Sequence, residues 1–280
     1  MSYILLNGHF VKQTGDVFGQ DTRLWQFGEG LFESIRVFNG RSPLLDLHAA
    51  RLSRSSKILG WAISPAWNER FWNQQIDKLC EKNQWTNARV KLIVYRQGAG
   101  TYLPENVFFN WILFGQELHS DEFELNPVGL RTMEFSRLPK PAEYLSLLKI
   151  TSAMRYIQAA QFAFQNRVDE VLITNQFDRI CEASSSNLFI VQGDSLITPA
   201  LSEYCLDGVM RRAIISLAEM HGIECFESSV FKNDVYYADE LFVTNAVKGI
   251  QWIGSYEDCN FELGKLTKKF HKWLNELLQE

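Results

Sequence analysis

The sequence predicts a mixed α/β (α+β) fold in two domains, with mixed, largely antiparallel sheets and flanking helices. Three observations carry this. Strand-like runs rich in Val, Ile and Phe interleave with amphipathic helical stretches along the whole chain. Many neighbouring strands are joined by tight turns, too short for the crossover that parallel pairing requires. A polar, acidic stretch, QELHSDEFELNP, interrupts the pattern and has the composition of a linker. The domains are therefore expected at 1–116 and 128–280, joined by 117–127.

In chain order, SYILLNG and GLFESIRVF read as strands. DLHAARLSRSSKILG carries leucines at helical spacing and ends on Gly60, a C-cap signal. AWNERFWNQQIDKLCEKN is a second amphipathic helix. ARVKLIVYRQG and VFFNWILFGQ flank a Gly/Pro turn and predict a hairpin. Beyond the linker, VGLRTMEFS is a strand, and TSAMRYIQAAQFAFQNR is a helix that begins just after Lys149. DEVLITNQFDRICEA predicts a hairpin turning at Gln176 to Asp178, and NLFIVQGDSLITP another. GVMRRAIISLAEMHG is a helix with glycine at each end, DELFVTNAVKGIQWI a strand and its continuation, and 261–280 a C-terminal amphipathic helix.

Composition narrows the class. Hydrophobic residues make up 46% and charged residues 22% of 280, as in an ordinary globular protein. A formal net charge of -5 favours neither nucleic acid nor an anionic membrane as partner. The N-terminal stretch lacks a basic region and a long apolar run, so no signal peptide is expected, and no apolar stretch is long enough to span a bilayer. Five scattered cysteines without a C-x-x-C pair, and five histidines without ligand spacing, predict neither a disulfide framework nor a metal site. A cytoplasmic protein with reduced thiols is the expectation.

Four segments carry candidate chemistry. Lys149 follows Leu145, Leu147 and Leu148. A desolvated lysine has a lowered pKa and forms a Schiff base with a carbonyl, although a snorkelling helix lysine explains the same pattern more often. In RICEASSSNLFIV, Glu182 ends a β-rich run before small polar residues including Ser185 and Asn187. A carboxylate there suits a protonated ring nitrogen, and turn-forming serines are the ordinary alternative. In LDGVMRRAIISLAEMHG, Gly208 opens a helix whose first turn, at Val209 and Met210, offers unpaired N–H groups to a phosphate. An ordinary helix start with Asp207 as cap is commoner. In FVTNAVKG, Thr244 and Asn245 end a strand and offer polar groups to the same kind of ligand.

In this order along one chain, the segments resemble the class IV aminotransferase family, the fold-type IV enzymes of pyridoxal 5'-phosphate (PLP). QFGEGLFESIRVFNG is similar to its N-terminal strand motif, and LLDLHAARLSRS to its arginine-bearing helix. LLKITSAMRY is similar to its lysine segment, DEVLITNQFDRICEASSSNLFIV to its most specific block, and DGVMRRAIISLA and ADELFVTNAVKGI to its phosphate-binding segments. The resemblance implies that Lys149 binds PLP covalently and then acts as acid and base. It implies that Glu182 pairs with the pyridine nitrogen, that Arg51 holds the phosphate through its fork of donors, and that Val209, Met210, Thr244 and Asn245 complete the phosphate cup. It further implies a small-molecule amino substrate and a homodimer, with each site between the two domains of a subunit.

Within the family the motifs divide. LNGH, TNAVKGI and DGVMRR resemble aminodeoxychorismate lyase, whereas FESIRV resembles branched-chain aminotransferases. The lyase is narrowly favoured, with a branched-chain or D-amino acid transaminase as the alternative and a non-catalytic PLP binder as the remote one. Phe32 stands where many transaminases have a pocket tyrosine, and Ser152 where the family often has an asparagine. Arg36 and Arg96 are candidates to hold a substrate carboxylate, with Tyr102 nearby in sequence.

Overall fold

The computed structural model describes residues 2–13 and 22–278. The chain divides into two compact units. One is Met1–Asp121 with Leu148–Ser152, and the other is Glu122–Leu147 with Ala153–Glu280.

The first unit contains β1 (Tyr3–Leu6), β2 (His9–Lys12), α1 (Arg23–Phe27), β3 (Gly30–Val37), α2 (Leu45–Ile58), α3 (Glu69–Asn83), β4 (Ala88–Arg96) and β5 (Phe109–Glu117). Its five strands form one sheet in the order β2-β1-β5-β4-β3, and every neighbouring pair is antiparallel. Strict alternation along β3 buries Leu31, Glu33, Ile35 and Val37 on one face and leaves Phe32, Ser34 and Arg36 half-buried on the other. Helix α3 starts where the Asn68 side chain accepts the Phe71 N–H, and ends on Gln84 in the left-handed region. Helices α2 and α3 pack against each other, and bury Leu52, Trp72, Ile76 and Leu79.

The second unit contains β6 (Leu130–Lys140), α4 (Met154–Gln165), β7 (Glu170–Asn175), β8 (Ile180–Ala183), β9 (Asn187–Gln192), β10 (Ser195–Pro199), α5 (Val209–Met220), β11 (Cys225–Ser228), α6 (Lys232–Tyr236), β12 (Glu240–Asn245), β13 (Gly249–Tyr256), β14 (Cys259–Asn260) and α7 (Lys265–Leu277). Its nine-stranded sheet runs β11-β10-β9-β12-β13-β6-β7-β8, with β14 paired to β13. The pairs β10–β11, β13–β6 and β6–β7 are parallel, and the others antiparallel. Strand β7, EVLITN, is buried at every position, which its nearly unbroken apolar centre anticipates. The hairpin from β7 to β8 turns through Asp178, which takes φ 56°. Helix α5 buries Val209, Met210, Ala213, Ile214, Leu217 and Ala218, the apolar stripe of a 3.6-residue period.

Three expectations differ from the structure. Lys149 does not precede a helix directly. Residues 149–151 are extended and lie along β3, with Phe32 N–H donating to the Lys149 carbonyl at 2.9 Å and Thr151 N–H to that of Gly30 at 2.9 Å. Helix α4 begins only at Met154. The lysine segment, expected in the C-terminal domain, groups with the first unit because these backbone bonds extend the edge of its sheet. The acidic stretch, expected as a linker, holds the division between the units after Asp121, but it is packed. Phe123 is 2% exposed and tied on both backbone groups to Asn275 of α7, at 2.9 and 3.0 Å. The C-terminal helix covers 265–277, and residues 279–280 of the expected span lie outside the described residues.

Candidate active site

Candidate chemistry lies in both units. In the first, the extended 149–151 segment sets Lys149 beside β3, and its Nζ lies 4.4 Å from the centre of the Phe32 ring. Lys91, from β4, approaches the same ring at 4.5 Å. Burial, reinforced by the Arg89 charge, lowers the Lys91 pKa. On the opposite face of β3, Glu33 is buried with two partners from α2. His48 Nδ1 lies 2.7 Å from Glu33 Oε2, and Arg51 donates to both carboxylate oxygens, with Nε at 2.9 Å from Oε1. The spacing of His48 and Arg51 puts both on one side of α2. Burial alone would raise the Glu33 pKa, but the charge and hydrogen bonds of Arg51, helped by His48, bring it down to about 2. Burial lowers the His48 pKa, the bond to Glu33 opposes this, and the charges of Arg51 and Lys149 add to the lowering. His48 thus stays a neutral ring against the Glu33 carboxylate at physiological pH.

Glu33→Gln is expected to destabilise the protein by about 3–5 kcal/mol, because Arg51 keeps a buried charge without its counter-ion. The sign of the pH dependence is fixed by the lowered pKa. In the wild type the stabilisation is complete above about pH 4.5 and is lost as pH falls toward 2; the variant lacks that part of the acid limb. Chemical denaturation across this range measures both effects, and equal stabilities at pH 7 would refute the assignment.

In the second unit, Glu182 of β8 is 2% exposed and collects donors from three elements. Its Oε1 accepts from Lys140 Nζ at 2.5 Å and Tyr156 Oη at 2.7 Å, and its Oε2 from the Leu206 N–H at 2.6 Å. A carboxylate offers about four acceptor positions, so among the described residues one remains, on Oε2. Burial would lower the Lys140 pKa, but the Glu182 carboxylate reverses this and raises it above the ordinary lysine range.

The same backbone continues into an anion cradle. Asn187 opens β9, pairs in register with Thr244 of β12, and donates from Nδ2 to the Leu206 carbonyl at 2.9 Å. Two residues later Gly208 caps α5. A Cβ on Gly208 would fall 1.8 Å from Asn187 Oδ1, so any side chain there would have to displace Asn187. The first N–H groups of α5, from Val209 onward, have no acceptor within the helix. Thr244 Oγ1 is buried and has no hydrogen-bond partner among the described residues. A phosphate supplies what an orphaned hydroxyl and a helix N-terminus lack, and a ring nitrogen supplies what the open position on Glu182 lacks. The donor set fits PLP at both ends.

The sequence-derived candidates separate accordingly. The second unit brings together Glu182, Asn187, Gly208, Val209, Met210 and Thr244. Asn245 closes its own turn by accepting from the Val247 and Lys248 N–H groups, and donates to Ser186 Oγ. Ser185 commits its hydroxyl to Glu170 at 2.7 Å. In the first unit Lys149 stands beside Phe32, whereas Arg51, expected at the phosphate, gives its Nε and one amino group to Glu33 on the other face of β3. Arg36 and Arg96 do not meet. Arg36 stands opposite Arg89 on the β3–β4 ladder, and Arg96 lies seven residues further along β4, about 23 Å at strand rise. No single carboxylate reaches both, and each has partners already: Arg36 donates to the Ser120 carbonyl at 2.5 Å, and Arg96 to Glu29 at 2.9 Å. Glu29 also receives Arg23, which anchors the Thr101 and Tyr102 carbonyls and leaves the Tyr102 side chain 90% exposed.

Glu33, His48, Lys140 and Tyr156 were missed in the sequence. Tyr156, seven residues after Lys149, carried a weak signal. Lys140 carried a misleading one, because Pro139 and Pro141 make LPKP read as an exposed turn.

This fold and these donors define a PLP-dependent enzyme. Residues 30–256 match the family described as amino-transferase class IV, and the chain belongs to that family. A D-alanine aminotransferase of Bacillus licheniformis is 27% identical over 290 residues, covering 99% of this chain and 98% of that protein. Among solved structures, the branched-chain aminotransferase of Thermoproteus uzoniensis superposes with a TM-score of 0.88 at 22% identity, covering 99% of this chain and 95% of that one. The 4-amino-4-deoxychorismate lyase of Pseudomonas aeruginosa does so with 0.83 at 24%, covering 98% of each. Solved relatives of this fold include PLP-bound forms. Among the described residues no helix is long and apolar enough to cross a membrane.

Proposed function

We propose that the protein is an aminodeoxychorismate lyase, which releases pyruvate from aminodeoxychorismate and leaves 4-aminobenzoate for folate synthesis. One observation carries the choice between activities. The turn after Thr244 is Asn245–Ala246, where many transaminases place a Ser/Gly-Thr pair, and Asn245 spends its carbonyl on its own turn. That turn offers no hydroxyl pair to an α-carboxylate. Phe32, in place of a tyrosine, likewise removes a polar group beside Lys149 and presents a flat apolar face to a ring-shaped substrate.

Thr244 and the first turn of α5 would hold the phosphate. Glu182 would hold the ring nitrogen through the open position on Oε2, and Lys149 would bind the cofactor covalently. When bound, PLP withdraws electrons from the carbon bearing the substrate amine and so makes its proton removable. Lys149, freed when the substrate amine takes its place on the cofactor, would then take that proton from the ring carbon. The electron pair left behind forms a ring double bond as the neighbouring C–O bond to the enolpyruvyl group breaks, and the departing enol becomes pyruvate on protonation. The ring is now aromatic, which makes the step irreversible.

The holoenzyme should convert aminodeoxychorismate to 4-aminobenzoate and pyruvate. It should give no keto acid from L-leucine, L-glutamate or D-alanine with 2-oxoglutarate or pyruvate as acceptor. Chromatography of the products checks both. Keto-acid formation without 4-aminobenzoate would replace the lyase by a transaminase.

A further inference from the structure

We propose that Lys140 is a positioning residue for the cofactor ring, holding one oxygen of Glu182 and thereby setting how firmly the other oxygen keeps a proton on the ring nitrogen. This rests on the assignment of Glu182 to that nitrogen. Lys140 is 1% exposed, and its ammonium makes a 2.5 Å contact with Glu182 Oε1. A lysine so deeply buried is rare unless paired. A structural ion pair at this place would serve as well with the carboxylate turned elsewhere, but this carboxylate keeps its free acceptor position on the oxygen that Lys140 does not touch.

The charges around Glu182 make Lys140 the deciding one. Tyr156, from α4, is held as a neutral phenol, because burial and the Glu182 charge push its pKa up. Cys181 beside it is buried and stays a thiol. Cys205, before α5, is pushed up to about 12, chiefly by burial. Asp207 is matched by Arg212, with contacts of 2.6 and 2.5 Å, and Arg211 by Glu227 at 2.5 Å. The pair Lys140–Glu182 is therefore neutral before the cofactor arrives. A pyridinium then adds a positive charge beside an already compensated carboxylate, and releases its proton more readily than it would to a carboxylate with no cation of its own. Lys140 weakens the electron sink while keeping the geometry of the contact.

The test uses holoenzyme loaded with PLP labelled with nitrogen-15 in the ring, titrated with pH and followed by the nitrogen chemical shift. Lys140→Met should raise the midpoint of ring deprotonation by about 1–3 units, the range expected on losing a cation at this distance. Lys140→Arg, which keeps the charge, should restore the wild-type midpoint. If Lys140→Met does not fold, Lys140→Gln removes the charge, keeps a donor and should move the midpoint the same way. Identical nitrogen shifts in the wild type and the uncharged variants, throughout the pH range where all are folded, would overturn the proposal. Glu182→Gln separates the two layers. If it leaves the nitrogen shift unchanged, Glu182 is not the ring partner and the underlying assignment falls. If it changes the shift while Lys140→Met does not, that assignment stands and the role of Lys140 falls.

Discussion

Lys149→Ala is expected to lower turnover by about 10⁴-fold, the upper range for loss of a positioned acid–base group, and to end covalent attachment of PLP. The fold should survive. The segment is held through backbone bonds to Gly30 and Phe32, which alanine keeps, and the lysine side chain is only half-buried. The wild-type protein, reduced with borohydride and digested, should carry the cofactor on the peptide containing Lys149; in the variant no peptide should carry it. Burial alone would have chosen differently, because Lys140 is the more deeply buried amine. A Schiff-base lysine has to lose its proton near neutrality, and Glu182 prevents this at Lys140 by stabilising the ammonium. Label on Lys140, or full turnover in Lys149→Ala, would refute the assignment.

Glu182→Gln carries the second large effect, in two separable parts. It leaves the Lys140 ammonium buried without a counter-ion, which costs about 3–5 kcal/mol, or a fall in Tm of roughly 10 °C for a chain of this size. It also removes the negative charge proposed to face the ring nitrogen, so activity should fall even where the variant is fully folded. The double variant Lys140→Met/Glu182→Gln separates the parts, since losing both charges of a buried pair is often close to neutral. Calorimetry should show much of the stability regained, while the activity stays low. A double variant no more stable than Glu182→Gln alone would mean that the two groups are not coupled.

The contrast between these lysines marks what the sequence made legible. The helices α2, α3, α5 and α7 and the central hairpins were readable from periodicity and turn residues, because local geometry decides them. Glu182, Gly208 and Thr244 were readable as a set only because their order along the chain resembles a family. The partners of Glu182 were not readable. Lys140, Tyr156 and Leu206 reach it from a strand end, a helix and a loop, so their meeting is a product of tertiary packing. Lys149 stands out in the sequence, but its backbone conformation does not. Its leucine-rich flank has helical spacing, while pairing with the edge of β3 imposes an extended conformation that no local preference encodes. Arg36 and Arg96 failed as a pair for a related reason. Each lies on a strand known in advance, but the register that separates them is fixed by the β3–β4 ladder.

The short 149–151 segment has a further consequence for the order in which the protein is made. The first 121 residues supply all five strands of the first sheet, but the edge of β3 lacks its last partner until the chain has gone on through β6 and come back. During synthesis the N–H of Phe32 and the carbonyl of Gly30 wait unpaired while that excursion is completed, and an open edge of this kind invites pairing with other chains. The residue proposed for the chemistry therefore travels on the segment that finishes the sheet. A nascent chain acquires its reactive amine and closes its exposed edge in one event.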